Sequence, residues 1–139
     1  MNWISPLEVK EAEEGEEIQK GKIYIAPGNR HMTLKGNKIH LDDGVKVNFV
    51  RPAVDVLMNS VAPMYGPRTV GVILTGMGSD GAVGMELIKK NGGKTIVQNE
   101  ETCVVYGMPK AVVDRGAADR IVPLEDIAKN IVVMLSTGM

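Results

Sequence analysis

Strand-like and helix-like segments alternate along this chain, which places it in the α/β class with a mainly parallel sheet. Three observations carry that expectation. The run Val70-Gly71-Val72-Ile73-Leu74 is apolar or small throughout with no polar alternation, as suits a strand covered on both faces by helices. Thr75-Gly76-Met77-Gly78-Ser79-Asp80-Gly81 follows it and leads into a helical pattern. That loop lies at the carboxyl end of a strand, the rim where open α/β sheets gather ligands and chemistry. A short alternating hairpin precedes this unit, and no repeat, linker or low-complexity segment divides the chain. Its 139 residues amount to about one domain by the usual length prior.

Taken in order, Leu7–Val9 is a candidate short strand and Gly21 ends the segment after it. Lys22–Ala26 reads as a strand closed by the turn signal Pro27-Gly28-Asn29. Met32 and Leu34 alternate with polar residues, Gly36-Asn37 supplies the turn, and Ile39 and Leu41 alternate back as a hairpin. Arg51-Pro52 is expected to open a helix, because proline is pre-set for the first helical position. Val54, Leu57, Met58 and Val61 give that helix one apolar stripe, and Pro63 with Gly66-Pro67 should end it. After the central loop, a helix is expected to turn Val83, Leu87 and Ile88 inward before Gly92-Gly93 stops it. Lys94–Val97 is the next strand. A helix opened by Pro109, a strand over Arg120–Val122 and an amphipathic helix over Leu124–Leu135 complete the chain.

The glycine loop admits three roles. Gly76-x-Gly78-x-x-Gly81 satisfies the dinucleotide fingerprint, with Glu100 or Glu101 about 20 residues further on for a ribose contact. Alternatively, the tight turn presents Asp80 as the acid that orients a histidine in a hydrolase triad. The plainest role is a cap, with Asp80 closing the helix that begins near Gly81.

Charge excludes some functions. Sixteen basic against seventeen acidic residues leave a net charge of −1, so nothing points to nucleic acid or an anionic membrane. Glu8, Glu11, Glu13, Glu14, Glu16 and Glu17 crowd one segment, which reads first as solvated surface and second as an acidic docking patch. Cys103 is the sole cysteine, so no internal disulfide forms and a cytoplasmic location is expected. No leader pattern or bilayer-length apolar run is present. His31 and His40 are the only histidines; both ride on the hairpin and read as surface or cross-strand packing. With no metal-ligand spacing around them, neither a metal nor any cofactor is expected, and the nine methionines read as core filling.

Five blocks together resemble a known family. Val9–Glu16 (VKEAEEGE), Ile23–Met32 (IYIAPGNRHM), Arg51–Leu57 (RPAVDVL), Gly71–Gly81 (GVILTGMGSDG) and Gln98–Pro109 (QNEETCVVYGMP) are similar, in order and spacing, to the catalytic domain of the chemotaxis protein-glutamate methylesterases, the CheB family. The resemblance implies a Rossmann-like α/β fold with helices on both faces and an inserted hairpin. It also implies hydrolysis of glutamate γ-methyl esters on chemoreceptors, releasing methanol, by a Ser-His-Asp triad. Residue by residue, it assigns Asp80 as triad acid, Met77 as a backbone oxyanion donor, and Gly76, Gly78, Tyr106, Gly107 and Met108 as the site border. The family's nucleophile turn and catalytic histidine have no match here. Ser5, Ser60, Ser79 and Ser136 are the only serines and none sits in a G-x-S-x-G elbow, while His31 matches a non-catalytic position. The resemblance therefore implies that residues 1–139 are the carboxyl-terminal portion of a catalytic domain, inactive by itself. Methylated chemoreceptors, the missing amino-terminal half, a receiver domain and a second copy of the chain are the expected partners. A nucleotide-binding module and a non-catalytic docking relative remain the alternatives.

Overall fold

A computed structural model describes residues 7–137. The elements run β1 (Glu8–Glu11), β2 (Lys22–Ile25), β3 (His31–Lys35), β4 (Lys38–Asp42), α1 (Val54–Tyr65), β5 (Val70–Ile73), α2 (Ala82–Lys90), β6 (Lys94–Gln98), α3 (Gly107–Asp114), β7 (Arg120–Val122) and α4 (Ile127–Thr137). Strands β5, β6 and β7 form a parallel sheet in that order, with Val72 beside Ile96 and Val97 beside Ile121. Strands β1 and β2 form a second parallel pair, and β3–β4 is the antiparallel hairpin.

Alternation along the strands distributes the core. Ile73 and Val97 pack with Ala62, Met85, Ile88, Val112 and Ala117 from α1, α2, α3 and the turn after α3. Val70, Val72, Ile96 and Val122 point the other way, onto Ile127, Ile131 and Met134 of α4. The sheet is thus covered on both faces, as the unbroken apolar run of β5 requires. A separate cluster of Ala12, Met32 and Ile39, with Tyr24, Leu34 and Leu57 against it, packs the hairpin onto α1.

Several local expectations change. Helix α1 starts two residues after Pro52, because the amides that need capping belong to Ala53, Val54 and Asp55, and partners from elsewhere in the chain meet them there. Pro63 lies inside α1, which runs on to Tyr65. Val83 is exposed, and α2 turns Ala82, Gly84, Met85 and Ile88 inward. The glutamate run is partly structural. Glu14 accepts the Leu41 amide at 2.7 Å and faces His40 Nδ1 at 3.3 Å. Glu16 accepts the Glu13 amide and pairs with Lys10, whose ammonium holds the Glu16 carboxyl below its ordinary range. His31 is 3% exposed, so of the two expected roles, surface or cross-strand packing, the surface one does not hold.

The ladders β1–β2 and β5–β6–β7 are not paired with each other among the described residues. Val9, Ile23 and Ile25 lie exposed on one face of β1–β2, while Tyr24 turns inward to the hairpin cluster.

The crossing of α1 and α2 is set by Gly84. A Cβ there would stand 2.5 Å from Met58 Cβ and 3.1 Å from Asp55 Oδ1. Because Met58 Cβ is rigidly attached to its backbone, the helices would have to separate. Gly84→Ala is therefore expected to destabilise the chain by about 1–3 kcal/mol, despite the ~1 kcal/mol that alanine ordinarily gains in a helix; urea unfolding midpoints check this.

Candidate active site

The loop after β5 and the loop after β6 meet at one rim of the sheet. Thr75 Oγ1 donates to the Val105 carbonyl at 3.0 Å and accepts from the Val104 and Val105 amides at 3.1 and 2.9 Å. Buried Gln98 accepts the Thr75 amide at 2.8 Å and donates to the Thr102 carbonyl at 2.7 Å. The Gly76 amide donates to Val105 O and the Met108 amide to Gly76 O, at 3.0 and 2.9 Å. These bonds bring Gly76 together with the adjacent pair Gly107 and Met108, which lie far from it in sequence.

Their glycines have internal reasons. A Cβ on Gly76 would stand 2.5 Å from Met108 Sδ, and one on Gly107 would stand 3.1 Å from both Gly76 O and Gly78 N. Gly81 has φ 98°, and a Cβ there would meet Ile73 Cδ1 at 2.5 Å. The fingerprint glycines other than Gly78 thus make room for this chain's own side chains, which removes the need for a nucleotide to explain them. Gly78 has φ 90°, and a Cβ there would meet open space. Met77, between them, is 83% exposed, and its amide has no hydrogen-bond partner among the described residues. Tyr106 borders the loop; burial first, then the charge of Glu100, raises its phenol above the ordinary value, so the hydroxyl stays protonated at neutral pH.

Asp80 has a different place from the plain cap the sequence suggests. Gly81 is the N-cap of α2 and no side chain caps that position. The Asp80 carboxylate instead reaches the start of α1. Oδ2 accepts the Val54 amide at 2.6 Å, and Oδ1 accepts the Asp55 amide at 3.1 Å and Asn48 Nδ2 at 2.9 Å. Asp55, in the first turn of α1, returns the arrangement: its Oδ1 accepts the Gly84 amide of α2 at 2.7 Å, and its Oδ2 accepts Asn48 Nδ2 at 2.8 Å. Each acid therefore caps the other's helix. Asp55 also occupies an amide of the α2 amino terminus, where a pyrophosphate would need free donors; this argues against the nucleotide reading.

His31 completes the start of α1. Its Nδ1 lies 3.2 Å from the Ala53 amide and its Nε2 lies 2.7 Å from the Val45 carbonyl. Since the amide only donates and the carbonyl only accepts, Nδ1 is the acceptor and the proton sits on Nε2. Both ring nitrogens are spent, and neither faces Asp80. His40 sits beside Glu14 on the hairpin. Ser60 donates to Leu57 O and accepts the Leu34 amide, and Ser136 donates to Val132 O. Ser79 is exposed beside Asp80 in sequence, and Ser5 lies outside the described residues. Among the described residues, no serine is hydrogen-bonded to a histidine.

The model of the CheB methylesterase family matches residues 1–131. The chain belongs to the CheB methylesterase family. Curated members named protein-glutamate methylesterase/protein-glutamine glutaminase are similar over nearly its full length. That of Pyrococcus abyssi is 50% identical over 136 residues, covering 95% of this chain and 37% of its own. That of Archaeoglobus fulgidus is 48% identical over 143 residues, covering 100% and 41%. That of Escherichia coli is 44% identical over 142 residues, covering 99% and 41%. The crystal structure of the Thermotoga maritima CheB methylesterase catalytic domain superposes with a TM-score of 0.86 at 45% identity, over 92% of this chain and 70% of that one. The chain thus spans about two fifths of the length of these curated relatives. Membership accounts for the α/β fold with its inserted hairpin. Among the described residues, no helix is long and apolar enough to cross a membrane.

Two site residues escaped the sequence reading. Asp55 looks like an ordinary first-turn acid, and Asn48 like part of a connection. A faint signal existed, since Asp55 lies in the RPAVDVL block on which the family resemblance rests.

Three donors on the Asp80 carboxylate alter what its amide analogue should do. Asparagine offers one acceptor oxygen and an NH2 group that would face the donor on Val54 or those on Asp55 and Asn48. Asp80→Asn is expected to cost about 1–3 kcal/mol of folding stability, and so to lower the melting temperature, where exchange at an ordinary helix cap would be nearly neutral. Thermal unfolding of the two chains side by side checks this.

Proposed function

We propose that this chain is the carboxyl-terminal portion of a protein-glutamate methylesterase catalytic domain, and that it supplies the acid and part of the oxyanion environment of a Ser-His-Asp site. The observation that carries the reading is the Asp80 carboxylate. It is 7% exposed at the carboxyl rim of the parallel sheet, held by three donors, and has one Oδ2 lone pair with no donor among the described residues. A carboxylate so fixed suits the Nδ1–H of an imidazole.

On this reading the reaction runs as in other Ser-His-Asp hydrolases. Serine attacks the γ-carbonyl of a glutamate methyl ester while the histidine takes its proton; Asp80 holds the tautomer and stabilises the imidazolium. The tetrahedral oxyanion is met by the Met77 amide, whose hydrogen is unspent and beside which Gly78 presents no side chain to the approach. Collapse releases methanol with the proton returned by histidine, and water then cleaves the acyl-enzyme. The same steps convert a glutamine side chain, with ammonia leaving. Substrates are methylated glutamates on chemoreceptor cytoplasmic regions. No cofactor enters this chemistry, and the serine and histidine come from the part of the domain that this chain does not contain.

The chain by itself is expected to release no methanol from methylated receptor. Completed with the part of the Thermotoga maritima domain that it does not cover, it should turn over, and Asp80→Asn in that enzyme should lose at least about a hundredfold in kcat, below the ~10⁴ seen for the equivalent change in a serine protease. Near-normal turnover by that variant would remove Asp80 from the triad. Measured relative to its own stability loss, the effect must be read below the variant's unfolding transition.

We also propose that the exposed Val9, Ile23 and Ile25 face and the β5 edge, unpaired among the described residues, draw isolated chains together, since bare apolar faces and open strand edges seek partners. Sedimentation velocity should show a species larger than a monomer; a monodisperse monomer at high concentration would refute it.

A further inference from the structure

Asn48 occupies an unusual place. Val47 and Val50 exchange backbone hydrogen bonds at 3.1 and 3.0 Å, and the two residues between them, Asn48 and Phe49, have φ of 53° and 68°. Positive φ at both central positions defines a type I′ turn. Asparagine accepts that conformation readily, whereas phenylalanine does not, and Phe49 is 95% exposed at the tip. The turn holds an unfavourable residue in a strained conformation with no burial in return.

What the turn achieves is the position of one nitrogen. Asn48 Nδ2 lies 2.8 Å from Asp55 Oδ2 and 2.9 Å from Asp80 Oδ1, and an amide NH2 has two hydrogens, one for each acid. Both carboxylates are buried, at 4% and 7% exposure. Without the amide between them, their facing oxygens would repel in a poorly screened setting. The carboxylate of Asp80 would then lose one of the three donors that fix its turn about the Cβ–Cγ bond, a broad torsion. The backbone amides of Val54 and Asp55 hold it from the helix side only.

We propose that Asn48 is a positioning residue of the esterase site: its bridge between Asp55 and Asp80 sets the rotation of the Asp80 carboxylate and so aims the open Oδ2 lone pair at the catalytic histidine. The bridge itself is independent of the triad reading, while its effect on turnover rests on that reading. Asn48 touches no substrate; it acts through Asp80.

The test uses two variants that both tolerate positive φ. Asn48→Gly deletes the amide and leaves the turn free to form. Asn48→Asp keeps the size and places a third carboxylate against the other two. In the chain itself, two-dimensional NMR should show the Val54 and Asp55 amide signals shifted by Asn48→Gly, because their shared acceptor has turned. In the completed catalytic domain, Asn48→Gly should lower kcat on the order of tenfold to a hundredfold, the scale of a misplaced catalytic group, with KM within about twofold. Asn48→Asp should lose more. In an Asp80→Asn background, Asn48→Gly should have no further effect on kcat, since the group through which it acts is gone.

Unmoved amide signals would overturn the bridge whatever Asp80 does. Full kcat in Asn48→Gly, with Asp80→Asn inactive, would overturn the positioning role while leaving the triad intact. Normal kcat in both variants alongside shifted amides would overturn the triad reading and, with it, the catalytic part of this proposal. If neither Asn48 variant folds, Asn48 is structural and the assignment fails.

Discussion

Two buried carboxylates that cap each other's helices organise this molecule. The first amides of a helix have no partner within it, and here α1 takes Asp80 from the turn before α2, while α2 takes Asp55 from the first turn of α1. Both acids sit at the positive ends of helix dipoles, which offsets part of the cost of removing them from water. Since the capping bonds run between helices, the two amino termini must stay together for either to be satisfied. Gly84 lets the helices approach closely enough for this. The glycine, the acids and the packing of Met58 are therefore one constraint.

Several neighbouring features become intelligible from that point. His31 on the hairpin accepts the Ala53 amide just ahead of α1 and donates to Val45. The hairpin, the loop of residues 43–50 and the helix start are thereby tied to one end of α1. Arg51 adds bonds to the carbonyls of Asp43 and Gly44 and to Asn29. A segment with little regular structure is held by side chains that bond backbone groups, as irregular chain next to a core must be. Functional rims are often built this way, with loops positioned by a rigid scaffold.

The second half of the rim is made by Thr75 and Gln98. One hydroxyl serves two amides and a carbonyl of the loop after β6, and a buried amide side chain links the exits of β5 and β6. The loop carrying Met77 is supported from below by these bonds and by the Gly76 contact with Met108, while Met77 itself stands exposed. Rigid support beneath an open peptide suits the oxyanion role proposed for Met77, because such a donor must already be in place when charge develops.

Much of the fold was legible in the amino-acid sequence because it depends on local periodicity. The unbroken apolar strand β5, the alternating hairpin around Gly36-Asn37 and the stripe of α1 each encode their own burial. Five sequence blocks likewise sufficed for the family resemblance, and the glycine loop for locating the rim. Tertiary structure alone decided what the polar residues do. Asp80 and Asp55 are 25 residues apart, His31 and Ala53 are 22 apart, and a carboxylate that caps a distant helix has the same sequence signature as one that caps its own. Val83 points outward for the same reason: which side of a short apolar helix is buried depends on its neighbours, and here close contact with α1 selected the face bearing Gly84. Hydrophobic pattern is a property of a segment, whereas the partner of a hydrogen bond is a property of the assembled chain.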